Sequence, residues 1–152
     1  MSTSSPLPMN KTFRIAIISL FSAILVVLQI ALAPIPNVET VTILFLIYGL
    51  VLPLSSNLLI VFVFSTLQAL VWGFGEWTIG YYWIWGLWTI LIAVLKPYFK
   101  DNLFSWAATT CVFGLSFGAL FAINYGIFYG INYTFAYWIR GIGFDIVHDV
   151  SN

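Results

Sequence analysis

Few residues in this sequence can take part in acid–base or metal chemistry. It carries five acidic residues, five basic residues and a single histidine in 152 positions. Asp145 and His148 are three positions apart in a predicted helix, so they can touch, either as a pair that shapes a site or as a salt bridge that only fixes the helix. Glu39 and Glu76 favour a ligand with hydrogen-bond donors or positive charge, whereas Arg140 could meet a carboxylate or a phosphate. The mixed signs identify no single ligand.

Recognised catalytic arrangements are missing from the sequence. It has no Ser–His or Cys–His arrangement at a known spacing, no HExxH motif and no phosphate loop. An intramembrane enzyme that uses Asp145 and His148 is therefore the least favoured of the functions considered for this chain. The same two residues with Asp149 form only a weak metal motif, because three ligands on one turn lack a second cluster. We expect no enzyme activity and no cofactor.

The composition indicates an all-α integral membrane protein. Apolar residues make up 62% of the chain and charged residues 7%, and the mean hydropathy is +1.04. A soluble domain carries about 25% charged residues. We expect a disordered tail over residues 1–12 and a single transmembrane domain over 13–152, built as a compact bundle of about six helices. The zero net charge disfavours nucleic acid as a partner.

Hydropathy and breaker residues place the helices along the chain. The predicted spans are residues 13–33, 38–52, 57–73, 81–95, 103–123 and 134 to the end. Residues 53–57 are predicted as a turn with Ser56 or Asn57 as the helix cap, and Gly141 and Gly143 interrupt the last segment. That segment ends abruptly at Asn152, so we expect it to be a truncated helix or one that only just crosses the bilayer.

The basic residues predict how the chain is oriented. Lys11, Arg14, Lys96 and Lys100 fall at one side of the predicted bundle, which the positive-inside rule assigns to the cytoplasm. The connections predicted at 34–37, 74–80 and 124–133 then lie outside. We expect a multi-pass protein of the bacterial plasma membrane with a cytoplasmic N-terminus, in contact with the lipid bilayer.

The three outer connections are predicted to bring polar groups together over an aromatic bundle. Asn37 can cap the second helix, with Glu39 and Thr40 in its first turn. If the fourth helix begins early, one aromatic stripe forms along it from Trp77, Tyr81, Trp85 and Trp88. Such a stripe suits a flat ligand, or it serves only packing and interfacial anchoring. The candidate substrate-binding residues are Asn37, Glu39, Thr42, Glu76, Trp77, Trp85, Asn124, Asn132, Trp138, Arg140, Asp145 and His148.

Small residues line two of the predicted helices. Ala16, Ser19 and Ala23 share a face of the first helix, and Gly114 and Gly118 form a small-xxx-small pair on the fifth. Because small residues let another helix approach closely, these faces favour either docking to a partner subunit or packing inside the bundle.

Three sequence segments together resemble a known transporter family. They are PIPNVETVT at 34–42, GFGEWT at 73–78 and GFDIVH at 143–148. With the basic N-terminus and the small-residue face of the first helix, they resemble the substrate-binding S components of energy-coupling factor (ECF) importers, which take up vitamins. The likeness covers residues 14–148.

The resemblance implies a function and a set of partners. S components are six-helix membrane proteins that bind a vitamin or related micronutrient on the extracellular side and do not hydrolyse ATP. A transmembrane coupling protein and two ATPase subunits supply the energy, and the coupling protein would dock on Ala16, Ser19 and Ala23. The alternative is a small helical membrane subunit or assembly factor that binds no small molecule.

Overall fold

The structure is a computed structural model that describes residues 10–34 and 40–151, with side chains described for 10–34 and 40–142. Six helices follow one another along the chain, and the described residues contain no strand. They are α1 (Lys11–Leu32), α2 (Val41–Val51), α3 (Leu54–Trp72), α4 (Glu76–Phe99), α5 (Leu103–Tyr129) and α6 (Ile131–Ser151). The predicted all-helical fold is confirmed.

Four of the described helices, α1, α3, α4 and α5, are long and apolar enough to cross a membrane. α2 is apolar but has only 11 residues, or about 16 Å of helix. Large apolar side chains face outward on all four long helices, among them Leu20, Val27, Phe62, Leu70, Ile90 and Val112. Such a surface suits lipid rather than water. The fold therefore indicates a multi-pass membrane protein.

The first three helices differ from the prediction at their starts. α1 begins at Lys11 rather than at 13, because the Asn10 side chain accepts from the Phe13 N–H at 2.7 Å and caps it. α2 begins at Val41, so Thr40 is its N-cap residue and not part of its first turn, and the predicted cap Asn37 lies outside the described residues.

The predicted turn over residues 53–57 is wrong. Pro53 occupies the N-cap position of α3 with φ −66° and ψ 147°. Its carbonyl oxygen accepts from the N–H groups of Ser56 and Asn57 at 2.9 and 3.2 Å, which starts the helix at once. Proline already has the φ that a helix start requires and offers no N–H that would need a partner. Ser56 and Asn57 are therefore buried helix residues, not caps.

The connections on both sides of α4 are shorter than predicted. α4 begins at Glu76 instead of at 81, and the Thr78 hydroxyl accepts from the Gly75 N–H at 3.3 Å to hold that start. At the other end α4 runs through Pro97 to Phe99, so the predicted loop over 96–102 contracts to 100–102. Proline has no backbone N–H to donate, but Pro97 lies in the last turns of α4, where few helical hydrogen bonds are affected.

The predicted connection over residues 124–133 is also wrong. α5 continues to Tyr129 and α6 starts at Ile131, so only Gly130, with φ +85°, separates them. α6 also continues through Gly141, where an interruption was predicted. α5 and α6 approach closely where Gly126 faces the Thr134 side chain, and this packing accompanies the helical structure on both sides of Gly130.

The helices form an arc with α2 on its inner side. α1 packs against α3, α3 against α4, α4 against α5 and α5 against α6, and α2 contacts α1, α3, α4 and α5. Within the described part of the chain, α6 packs along α5 alone. The core therefore surrounds α2, where Val41, Phe45, Trp85, Trp88 and Ile92 are fully buried.

Basic side chains make polar contacts at one end of the bundle. Arg14 donates to the hydroxyls of Ser55 and Ser56, both at 3.1 Å, and joins the starts of α1 and α3. The Lys96 ammonium donates to the last carbonyls of α2, those of Gly49 and Leu50. The end that holds Lys11, Arg14, Lys96 and Lys100 is called the basic end below. The opposite end, where α4 begins, is called the Glu76 end.

Candidate solute-binding site

α2 begins deep inside the bundle rather than at the Glu76 end. It runs beside α4 in the same direction, with Gly49 packed against Ile92, and the Trp88 indole N–H donates to the Thr42 carbonyl at 3.0 Å. The Phe45 ring, one turn further along α2, stacks on Trp85, so the first turns of α2 lie beside Trp85 and Trp88. Trp85 follows Glu76 by nine residues, or about 13 Å of helix. The part of the bundle between the first turn of α2 and the Glu76 end is called the upper layer.

Aromatic rings from four helices line the upper layer and its floor. The ring of Tyr81 lies 6.0 Å from Phe64 and 5.9 Å from Phe121, measured between centroids. Trp85 stacks on Phe45 at 5.4 Å and contacts Phe117 at 5.2 Å. Flat, apolar ring faces of this kind pack well against a planar ligand.

The predicted aromatic stripe on α4 is confirmed, because the helix begins before Trp77. Trp77 contacts Tyr81 at 5.2 Å, and Tyr81 contacts Trp85 at 6.2 Å. Trp85 and Trp88 are fully buried, whereas Trp77 and Tyr81 are only partly buried. The stripe thus runs from the half-exposed Glu76 end down to the first turn of α2.

Two glutamines connect three helices in the upper layer. The Gln29 amide of α1 donates to the Tyr81 hydroxyl of α4 at 2.8 Å, and the Gln68 amide of α3 donates to the Gln29 carbonyl oxygen at 3.2 Å. Sequence reasoning missed both residues. They are the only glutamines in the chain, and each lies within an apolar run. Polar groups inside membrane helices are costly and usually pair or serve a function, so these positions could have been recognised from the sequence.

Asn124 and Glu76 join the start of α4 to α5. Asn124 is fully buried, and its side chain accepts from the Trp83 indole N–H at 3.0 Å and donates to the Glu76 carbonyl at 2.9 Å. The Glu76 carboxylate accepts from the Tyr129 hydroxyl at 2.7 Å. It lies at the N-terminus of α4, where the free N–H groups favour negative charge. Both atoms of the Asn124 amide are engaged with α4, so the residue positions the first turn of that helix.

Two hydrogen-bond donors at the floor of the upper layer have no partner among the described residues. The indole N–H of Trp85 and the hydroxyl of Thr42 are both buried and make no hydrogen bond. Leaving a buried polar group unpaired costs about 1–3 kcal/mol. Trp88, three residues from Trp85 and equally buried, does have an acceptor.

The structure brings only some of the predicted site residues together. Thr42, Glu76, Trp77, Trp85 and Asn124 all border the upper layer or its floor, although Asn124 lies on α5 and not in a loop. Asn132, Trp138 and Arg140 are exposed on α6, which packs against α5. Asn37, Glu39 and the side chains of Asp145 and His148 lie outside the described residues. Ligand contacts by any of these residues stay predictions.

The small-residue faces differ in burial. Ala16, Ser19 and Ala23 are all exposed on α1. Gly114 and Gly118 are buried on α5, so packing inside the bundle accounts for that pair. Among the described side chains, no three histidines, cysteines or carboxylates lie close enough to hold a metal ion.

Comparisons with protein-family models, with curated proteins and with solved structures find no match for this chain.

Proposed function

We propose that this chain is the membrane-embedded, solute-binding subunit of an importer, of the kind represented by the S components of ECF transporters. The observation that supports this most is the depth of α2. Because the first turns of α2 pack beside Trp85 and Trp88 rather than beside Glu76, the described part of the layer above them is lined by aromatic rings, two amides and a phenol.

The chemistry of the upper layer favours a vitamin-like small molecule. Gln29, Gln68 and Tyr81 supply neutral donors and acceptors, and the rings of Trp77 and Phe117 supply flat apolar contact. Small-molecule sites combine such an apolar lining with a few well-placed polar groups. Affinity would come from stacking, and specificity from the amides and the hydroxyl.

The energy for transport would come from partner subunits. The sequence contains no nucleotide-binding motif, so in the proposed importer a coupling protein and two ATPases would supply the energy for uphill uptake. The exposed face formed by Ala16, Ser19 and Ala23 offers α1 a close approach to a transmembrane helix of the coupling protein. The positive-inside rule sets the basic end in the cytoplasm, so that the upper layer opens to the outside.

A copurification experiment tests the proposal. The chain is purified in mild detergent, denatured, and its small-molecule extract is analysed by mass spectrometry. We expect one solute in near-stoichiometric amount with wild-type protein and much less with Tyr81→Phe, which removes the hydroxyl that accepts from Gln29. Tyr98→Phe is the matched control, because Tyr98 is 78% exposed near the basic end.

The result also separates the two functional hypotheses. A folded wild-type protein that carries no solute, and that copurifies only with other membrane subunits, would favour the alternative of a small helical subunit without a ligand. The exposed face of α1 would then be its principal functional surface.

A further inference from the structure

We infer that the solute is a planar ring that bears a carbonyl oxygen, and that this oxygen accepts hydrogen bonds from the Trp85 indole N–H and the Thr42 hydroxyl at the first turn of α2. The inference rests on the proposed function and specifies the chemistry of its substrate. It is carried by two buried donors for which the described part of the chain provides no acceptor.

The contrast between two neighbouring tryptophans is the main observation. Trp85 and Trp88 lie one turn apart on α4, and both are fully buried. Trp88 stacks on Phe113 at 4.4 Å and donates to the Thr42 carbonyl. Trp85 is equally enclosed by rings but its N–H has no acceptor. An indole nitrogen can only donate, so the missing group must be an acceptor.

The first turn of α2, which bonds to the neighbouring Trp88, adds a second unpaired group. The Thr42 hydroxyl is buried without a partner, while its carbonyl is already taken by Trp88. The N-terminus of α2 faces the Glu76 end, because α2 runs in the same direction as α4. A helix N-terminus presents N–H groups and a partial positive charge. The Trp85 N–H, the Thr42 hydroxyl and the N-terminus of α2 can therefore all interact with an oxygen acceptor.

The neighbouring rings indicate how a planar body would fit. Trp85 is stacked on Phe45 on one side, and its other neighbours include Tyr81 and Phe117, which are only partly buried. Because both of these rings contact Trp85 directly, a planar solute that displaces them would reach the Trp85 indole with its leading edge. Of the described cationic side chains, four lie at the basic end and Arg140 is exposed on α6. The layer thus suits a neutral carbonyl better than a carboxylate.

Paired probes test the inference. Binding of quinazolin-4-one is compared with that of quinazoline, and binding of lumichrome with that of phenazine, by equilibrium dialysis against the purified full chain. We expect wild-type protein to prefer the carbonyl-bearing member of a pair by about tenfold, the effect of one well-made hydrogen bond. Trp85→Phe, which retains a stacking ring but loses the N–H, should abolish the preference.

Two further variants guard against effects on folding. Trp88→Phe makes the same change one turn away, at an indole that already has an acceptor, and should retain the preference. Thr42→Val keeps the shape of the side chain without the hydroxyl and should lower the preference.

Equal binding of both members of each pair, no binding of any probe, or a preference that survives Trp85→Phe would each overturn the inference. The proposed function fails on a different result. If a solute copurifies with the wild-type protein but the probes show no carbonyl preference, the solute-binding function stands and only the inferred acceptor is refuted.

Discussion

At the scale of single residues, polar side chains inside the bundle hydrogen-bond to one another across helices. Gln29, Gln68 and Tyr81 form a continuous hydrogen-bonded chain across α1, α3 and α4. Each group would be costly in an apolar environment without its partner. This hydrogen-bonded chain therefore holds three helices in register and places amide and phenol groups in the layer that we propose as the solute site.

The glutamine pair gives a testable coupling energy. Gln29→Leu and Gln68→Leu should each lower the free energy of unfolding by about 1 kcal/mol. The double variant should lower it by about 0.6 kcal/mol less than the sum of the two single effects. That difference is the mean coupling energy of interhelical hydrogen bonds in membranes. Reversible unfolding in mixed micelles measures all three variants. Strict additivity would show that the two amides do not interact.

At the scale of the helices, close contacts between α4 and its neighbours set the shape of the upper layer. Gly80 allows α5 to approach α4, since a Cβ there would lie 2.8 Å from the Phe121 ring and 3.3 Å from the Asn124 side chain. That approach lets Asn124 reach both Trp83 and the Glu76 carbonyl. The helix packing and the site geometry thus depend on the same residue.

Adding a single methyl group at this contact tests the dependence. We expect Gly80→Ala to destabilise the protein by about 1–3 kcal/mol, as overpacking does in a close-packed core. Gly86→Ala on the same helix is the control, because a Cβ at Gly86 meets nothing within 4 Å and alanine is the better helix former by about 0.5–1 kcal/mol. Thermal unfolding in detergent measures the stability of both variants. If Gly80→Ala were as stable as Gly86→Ala, the close contact between Gly80 and α5 would be contradicted.

Lys96 stabilises the C-terminus of α2 by donating to its last carbonyls. A cation at that position also meets the negative end of the helix dipole, so Lys96→Met should cost about 0.3–1 kcal/mol. Lys100→Met removes a nearby charge for which the structure shows no contact with α2, and should have a smaller effect. The comparison is made by unfolding in mixed micelles at low and high salt. A difference between the variants that is unchanged by salt would argue against an electrostatic origin.

At the scale of the whole molecule, the sequence predicted the class of fold but not the lengths of its parts. Composition and apolar runs were sufficient for six helices, because burial in lipid requires them. The predicted boundaries were wrong where tertiary contacts decide them. The glycine-, tyrosine- and asparagine-rich stretch around Gly130 is helical on both sides of that residue, where α5 and α6 pack closely. The same contacts determine the candidate site.

The site itself was only partly predictable. The stripe from Trp77 to Trp88 follows from helical spacing once the start of α4 is known. The pairing of Gln29 with Gln68 joins residues 39 positions apart, and the depth of α2 depends on its packing against Ile92. Neither of these features has a local sequence signature, since both arise from how distant helices meet.

The orientation of the chain in the membrane gives a further prediction. In a background of Cys111→Ser, Phe74→Cys and Lys100→Cys each place one reactive thiol at an exposed position, at the Glu76 end and the basic end respectively. A membrane-impermeant maleimide should label Phe74→Cys on intact cells and Lys100→Cys only after permeabilisation, because the basic end is assigned to the cytoplasm. The reverse pattern would invert the assigned orientation.

The most direct measurement is a thermal-shift screen of the purified protein against a panel of vitamins and related micronutrients. If the upper layer binds a solute, one compound at a thousandfold excess over its Kd should stabilise the fold by about 4 kcal/mol, and Tyr81→Phe should reduce the shift. A well-folded wild-type protein that no compound stabilises would contradict solute binding. The function would then have to be sought in the subunits that meet the exposed face of α1.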